Sequence, residues 1–148
     1  MEPKHEQLKR DILFELGQLD MTMEKIKGVR GDNTEINKAA LGTYLMNFYN
    51  GIENIMKRAA KEYYKKMPKG DIWHKQLLQL SSAYNGKKAV LFTKNTVDEL
   101  YNYLTFRQVF IHGYGFTLSW DKMKSLADNI DKLWQEIKNQ IAEFMKII

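Results

Sequence analysis

Apolar residues return every three or four positions along nearly the whole of this chain, the spacing that lays a single stripe along an amphipathic helix. The first stripe runs Leu8, Ile12, Leu16, Leu19, Met23 and Ile26, and Gly28 and Gly31 break it. A second helix begins near Asn33 or Thr34, either of which can cap it. It carries Leu41, Tyr44 or Leu45, Phe48, Ile52, Ile55, Ala59 and Tyr63 before Pro68-Lys-Gly70 closes it. Asp71 suits the cap of a short third helix bearing Trp73, Leu77, Leu80 and Tyr84. Asn85-Gly86 is a turn signal. Ala89-Val-Leu-Phe92 has the composition of a strand but no second strand to pair with, so residues 85–95 read as a packed loop. Thr96-Val-Asp-Glu99 has the spacing of a capping box. It opens a fourth helix through Leu100, Tyr103 or Leu104, Arg107 and Phe110. Ser119 or Trp120 starts the last helix, whose seam of Met123, Leu126, Ile130, Leu133, Ile137, Ile141, Phe144 and Ile148 is close to a heptad repeat.

Four long helices and one short one, joined mostly by brief connections, predict an all-α chain folded as a single-domain antiparallel helical bundle over residues 1–148. Trp120 and Trp134 widen the apolar side of the last helix, which is either the edge of the core or a seam for a second copy. Its length of 148 residues can bury a core unaided. The absence of cysteine excludes disulfides, thiolate nucleophiles and Cys-based metal sites. The N-terminus lacks the apolar run of a secretory signal and no stretch is long enough to span a bilayer, so a cytoplasmic protein with no membrane contact is expected. The formal charge of +5 favours a polyanionic partner, although lysines also serve simply to solvate helix faces.

Chemistry concentrates in Arg107-Gln-Val-Phe-Ile-His112-Gly113-Tyr114-Gly115. An arginine, a histidine and a tyrosine stand together where two glycines end a helix. Histidine moves protons near neutral pH, and arginine is a permanent, forked cation matched to phosphate. On a regular helix, Arg107 and His112 point about 140° apart, whereas Arg107 and Tyr114 fall close together. Gly113 and Gly115 would let the last turn unwind and swing His112 towards Arg107. Of the other histidines, His5 belongs to a fraying terminus and His74 to the first turn of the short helix, as a packing or capping residue. No two histidines fall four residues apart and no His-Glu-x-x-His string occurs, so neither a metal nor another cofactor is expected. Glu53, beside Ile52, either occupies a solvated rim or turns inward to orient Arg107 or His112.

The R-x4-H-x-Y string, together with Leu100-Tyr-Asn-Tyr-Leu-Thr-Phe106 before it and the all-helical chain around it, resembles the HepT-type toxins of the HEPN ribonuclease superfamily. The Gly51-Ile-Glu53-Asn-Ile55 and Trp73-His74-Lys-Gln-Leu77 segments are similar in character. That resemblance implies a HEPN-like homodimer and a metal-independent endoribonuclease toxin. Arg107 would hold the scissile phosphate, and His112 would serve as acid or base. The products would be a 2′,3′-cyclic phosphate and a 5′-hydroxyl. One such histidine per chain fills only one proton-transfer role, so two motifs would line a shared cleft. Tyr114 matches the tyrosine to which a partner nucleotidyltransferase antitoxin of the MNT type attaches AMP. The gap residues Gln108 to Ile111 are mostly apolar here, which leaves Arg30, Lys87, Lys88 and Lys94 as candidates for further RNA contacts. A second expectation is a non-catalytic HEPN-like binding module serving as substrate-binding or scaffold partner of a nucleotidyltransferase.

Overall fold

The computed structural model describes residues 4–83, 88–113 and 119–148. Tyr84, Lys87, Tyr114 and Gly115 lie outside the described residues. Five α-helices follow one another: α1 (Glu6–Val29), α2 (Glu35–Ala59), α3 (Trp73–Ser82), α4 (Lys94–His112) and α5 (Trp120–Ile147). A π-helical turn, Ala60–Tyr64, prolongs α2. Among the described residues there is no strand element.

Contacts along the helices fix an antiparallel ring. Asp11 on α1 meets Arg58 on α2 at 3.2 Å, while Lys25 lies over the Tyr44 ring. Phe110 of α4 faces Gly42 of α2, and Arg107 faces Asn50. Tyr103 of α4 donates to the Leu126 carbonyl, while the start of α4 at Thr96 bonds Gln140 near the end of α5. Trp134 of α5 donates to Asp20, and Arg30 pairs with Asp131. Each pair runs in opposite directions, so α1, α2, α4 and α5 alternate around a core of Ile12, Leu19, Leu45, Phe48, Ile52, Leu100, Ile130 and Ile137, all fully buried. Helix α2 touches every other helix, with α3 laid across α2 and α4.

Two glycines let α2 hold that central place. A methyl group at Gly51 would come within 2.6 Å of the Leu19 side chain, and one at Gly42 within 2.6 Å of the Phe110 ring. Neighbouring helices therefore seat a side chain directly against the α2 backbone.

Helix starts follow the sequence where the signal is local. Thr34 caps α2 by accepting from the Asn37 amide at 3.3 Å, and Ser119 caps α5. Two expected caps are corrected. Asp71 does not cap α3; Ile72 occupies that place with no side-chain bond. The α4 cap is Thr93, not Thr96: its hydroxyl accepts from the Thr96 amide, and Lys94 is already helical. The side chain of Gln140 explains the choice, because it accepts from the Thr93 amide and donates to the Thr96 hydroxyl. The loop before α4 is packed down as expected over residues 88–93. Leu91 and Phe92 are buried and both amides bond the Ser81 carbonyl, while Tyr63 and Tyr64 of the π turn hold Ala89. On α5 the buried line passes through Ala127 and Trp134, with Leu126 only half-buried. The His5 ring, just before α1, stands edge-on to Tyr63.

Candidate functional site

Arg107 lies on the face of α4 that looks at α2. Its Nε donates to Oδ1 of Asn50 at 2.6 Å. This partner is neutral, and among the described residues no carboxylate pairs with Arg107. The amide fixes the guanidinium while leaving its charge uncompensated, and the two terminal nitrogens keep the fork that suits a phosphate. One turn towards the helix end, the Phe110 ring sits on Gly42 and stacks on Phe106, anchoring this stretch of α4 to the bundle.

His112 is the last residue of α4 and is exposed. The helix stays regular through it, which corrects the expectation of an unwound last turn. Gly113 leaves at φ −101°, ψ 169°, an extended conformation open to any residue. Within one chain Arg107 and His112 thus keep about the 140° separation of an ideal helix. Arg107 is turned to α2 and His112 to solvent. Tyr114 and Gly115 lie outside the described residues, so their places relative to Arg107 rest on sequence alone.

Glu53 is not on a solvated rim. It is 3 % exposed, and its Oε2 lies 2.7 Å from Nδ1 of His74. It therefore orients neither Arg107 nor His112 directly. His74 stands in the first turn of α3 with its ring stacked on Trp73 at 3.7 Å. Tyr49, fully buried one helical turn before Glu53, places its hydroxyl beside that carboxylate without a well-formed hydrogen bond. Burial pushes the Tyr49 phenol far above its ordinary range, Glu53 adds to that shift, and Arg107 opposes it. Tyr49, Asn50 and Glu53 thus present one polar face of α2 to His74 and Arg107.

Of the loop cations expected to extend an RNA surface, Lys87 lies outside the described residues and the other three have partners within the chain. Arg30 pairs with Asp131 at 2.9 Å, Lys88 donates to the Tyr63 carbonyl, and Lys94 pairs with Asp98. Among the described residues no cluster of three metal-ligating side chains occurs, and no helix is long and apolar enough to cross a membrane.

Asn50 was not singled out by the sequence, since an asparagine on a long helix carries no signal for a partner on another element. Glu53 did carry one: it recurs four residues after Tyr49 and three before Met56, on the buried side of α2. A carboxylate there demands a partner.

The HepT-like protein family matches residues 40–148, which runs from within α2 through α5 and takes in every residue of the site. The chain belongs to the HepT-like family. It is thereby a HepT-type member of the HEPN superfamily, as the R-x4-H-x-Y resemblance implied. No curated protein and no solved structure matches it.

Proposed function

We propose that this HepT-like chain is a metal-independent endoribonuclease toxin, acting as a homodimer whose two R-x4-H motifs line one cleft. The observation that carries the reading is Arg107, held by a neutral amide with its charge unspent, on the same helix as His112 in a HepT-like chain. RNA supplies its own nucleophile, so a base, an acid and a cation suffice. The base takes the 2′-hydroxyl proton as the 2′-oxygen bonds to phosphorus. The bond to the 5′-oxygen breaks, and an acid returns a proton to that oxygen. Arg107 binds the phosphate and stabilises the charge that grows on it. His112 serves in one proton transfer per motif, and its solvent-facing position suits a group that meets a substrate or a second chain.

Silencing falls to an MNT-type nucleotidyltransferase antitoxin that transfers AMP to Tyr114, two residues beyond His112. An added phosphate beside Arg107 would occupy the cation that RNA needs. In the sequence Gly113 and Gly115 stand on either side of that tyrosine.

Purified protein should cut RNA in EDTA to 2′,3′-cyclic phosphate and 5′-hydroxyl ends. Co-production with a cognate MNT-type nucleotidyltransferase should add AMP-sized masses to Tyr114. Intact RNA under those conditions would remove the enzymatic reading. The second reading, a non-catalytic binding partner of a nucleotidyltransferase, is favoured by one observation: no protein group orients the His112 ring among the described residues. Growth arrest when the chain is produced alone separates the two, since only the toxin causes it.

A further inference from the structure

The Glu53–His74 pair is an ionisable cluster that sits next to Asn50, the partner of Arg107. Glu53 is almost fully buried, and its Oε2 holds His74 Nδ1 at 2.7 Å. This is the arrangement in which a carboxylate sets the tautomer and direction of an imidazole and leaves the far nitrogen for chemistry. Among the described residues no protein group bonds His74 Nε2, and the side chain keeps 19 % of its surface open. Stacking on Trp73 fixes the plane of the ring.

The pair stands close to Arg107. Glu53 follows Asn50 by three residues on α2, so their side chains are neighbours, roughly 5–6 Å apart at Cβ. Asn50 is the residue that grips Arg107. The Tyr49 phenol, one residue before Asn50, is near enough to feel both the Glu53 carboxylate and the Arg107 cation. Direction matters as well. Helices α2 and α4 run antiparallel, with Gly42 against Phe110 and Asn50 against Arg107. Glu53 therefore lies towards the start of α4, and Lys75, next to His74, reaches the Tyr101 ring there. His112 lies beyond Phe110, on the other side of Arg107.

We propose that His74 is a second proton-transfer group of the RNA site, aimed by Glu53 and flanking Arg107 on the side away from His112. The inference rests on the ribonuclease reading and deepens it. In-line cleavage forms the 2′-oxygen–phosphorus bond on one side of the phosphorus and breaks the bond to the 5′-oxygen on the other. One imidazole accepts the 2′-hydroxyl proton, and the second donates to the departing 5′-oxygen, so protons balance. With His74, each chain brings two imidazoles and one cation to the cleft. Glu53 is a positioning residue that acts through His74, while Lys57 over Trp73 and Lys75 over Tyr101 place further positive charge at the rim.

The bland alternative is a lock that merely pins α3 to α2. His74→Asn can still bond Glu53 but cannot transfer a proton. If His74 is catalytic, this variant lowers kcat on RNA by about a hundredfold or more. Its KM, and its affinity for an uncleavable all-2′-deoxy oligonucleotide, stay within about twofold. Glu53→Gln lowers kcat less, again without moving KM. If Arg107→Ala and His112→Ala are inactive while His74→Asn cleaves at the parent rate, the inference is overturned and the ribonuclease reading stands. If the parent itself leaves RNA intact, the ribonuclease reading fails and takes the inference with it. Should His74→Asn not fold, the imidazole NMR signals of His74 in the parent decide during titration with the deoxy oligonucleotide. A shift that disappears in Arg107→Ala supports the proposal, and an unmoved signal overturns it.

Discussion

Asn50 does something a carboxylate in its place could not: it holds Arg107 without neutralising it. Asn50→Asp should keep the bundle folded and the guanidinium in place, yet weaken RNA binding by about tenfold or more, because the phosphate would compete with a fixed counter-charge. Equal affinity of parent and variant in a filter-binding titration would contradict this role. The tyrosines make a second residue-scale prediction. Burial raises the Tyr64 phenol from 10.0 to about 12, and Tyr49 and Tyr103 are raised further. A group whose pKa is higher folded than unfolded contributes its full stability below the unfolded value. That contribution is lost as pH climbs from about 10 through the folded pKa. Denaturant midpoints should therefore hold up to about pH 9 and fall steadily above pH 10, and a flat profile to pH 12 would show that these phenols are not buried as described. At this scale the sequence was half legible. Arg107 and His112 announce themselves by residue type and spacing, whereas Asn50 and the Glu53–His74 bond depend on which helices meet.

At the scale of the element, the signals that succeeded were those completed within one turn. Thr34 and Ser119 cap from their own side chains, and periodicity alone placed the buried faces of α1 and α2. Thr93 and Thr96 show where local reading stops. Both are threonines three residues apart, the capping-box spacing favours Thr96, and Gln140 on α5 decides for Thr93. Gln140→Ala should cost about 1–2 kcal/mol by removing these two bonds, read as a lower denaturation midpoint. The close approach of α2 and α4 gives a sharper test. Gly42→Val drives atoms into the Phe110 ring and should cost about 1–3 kcal/mol. In a Phe110→Ala background most of that penalty should vanish, so the two changes couple in a double-mutant cycle. Strict additivity would mean that Phe110 does not sit on Gly42.

At the scale of the whole molecule, the described residues form an all-helical bundle in which α1, α2, α4 and α5 alternate in direction and α3 packs on α2 and α4. That architecture was predictable because helix lengths and short connections leave few other solutions. The turning of Arg107 inward and His112 outward was not, because the expected unwinding before Gly113 does not occur. This geometry is what a cleft shared between two copies would use, with each chain offering its histidine outward. Inactive Arg107→Ala and His112→Ala chains should therefore regain part of the parent activity when refolded together, since a mixed dimer restores one cation and one histidine to the cleft. No recovery on mixing would argue against a shared site.

Arg107 and His112 are proposed to cut RNA without a metal. The most direct test sets parent, Arg107→Ala and His112→Ala side by side on one RNA substrate in EDTA, with folding matched by circular dichroism. The parent should cleave to cyclic-phosphate ends, and each variant should lose about a hundredfold or more of that activity. Cleavage by both variants at the parent rate would contradict the proposal.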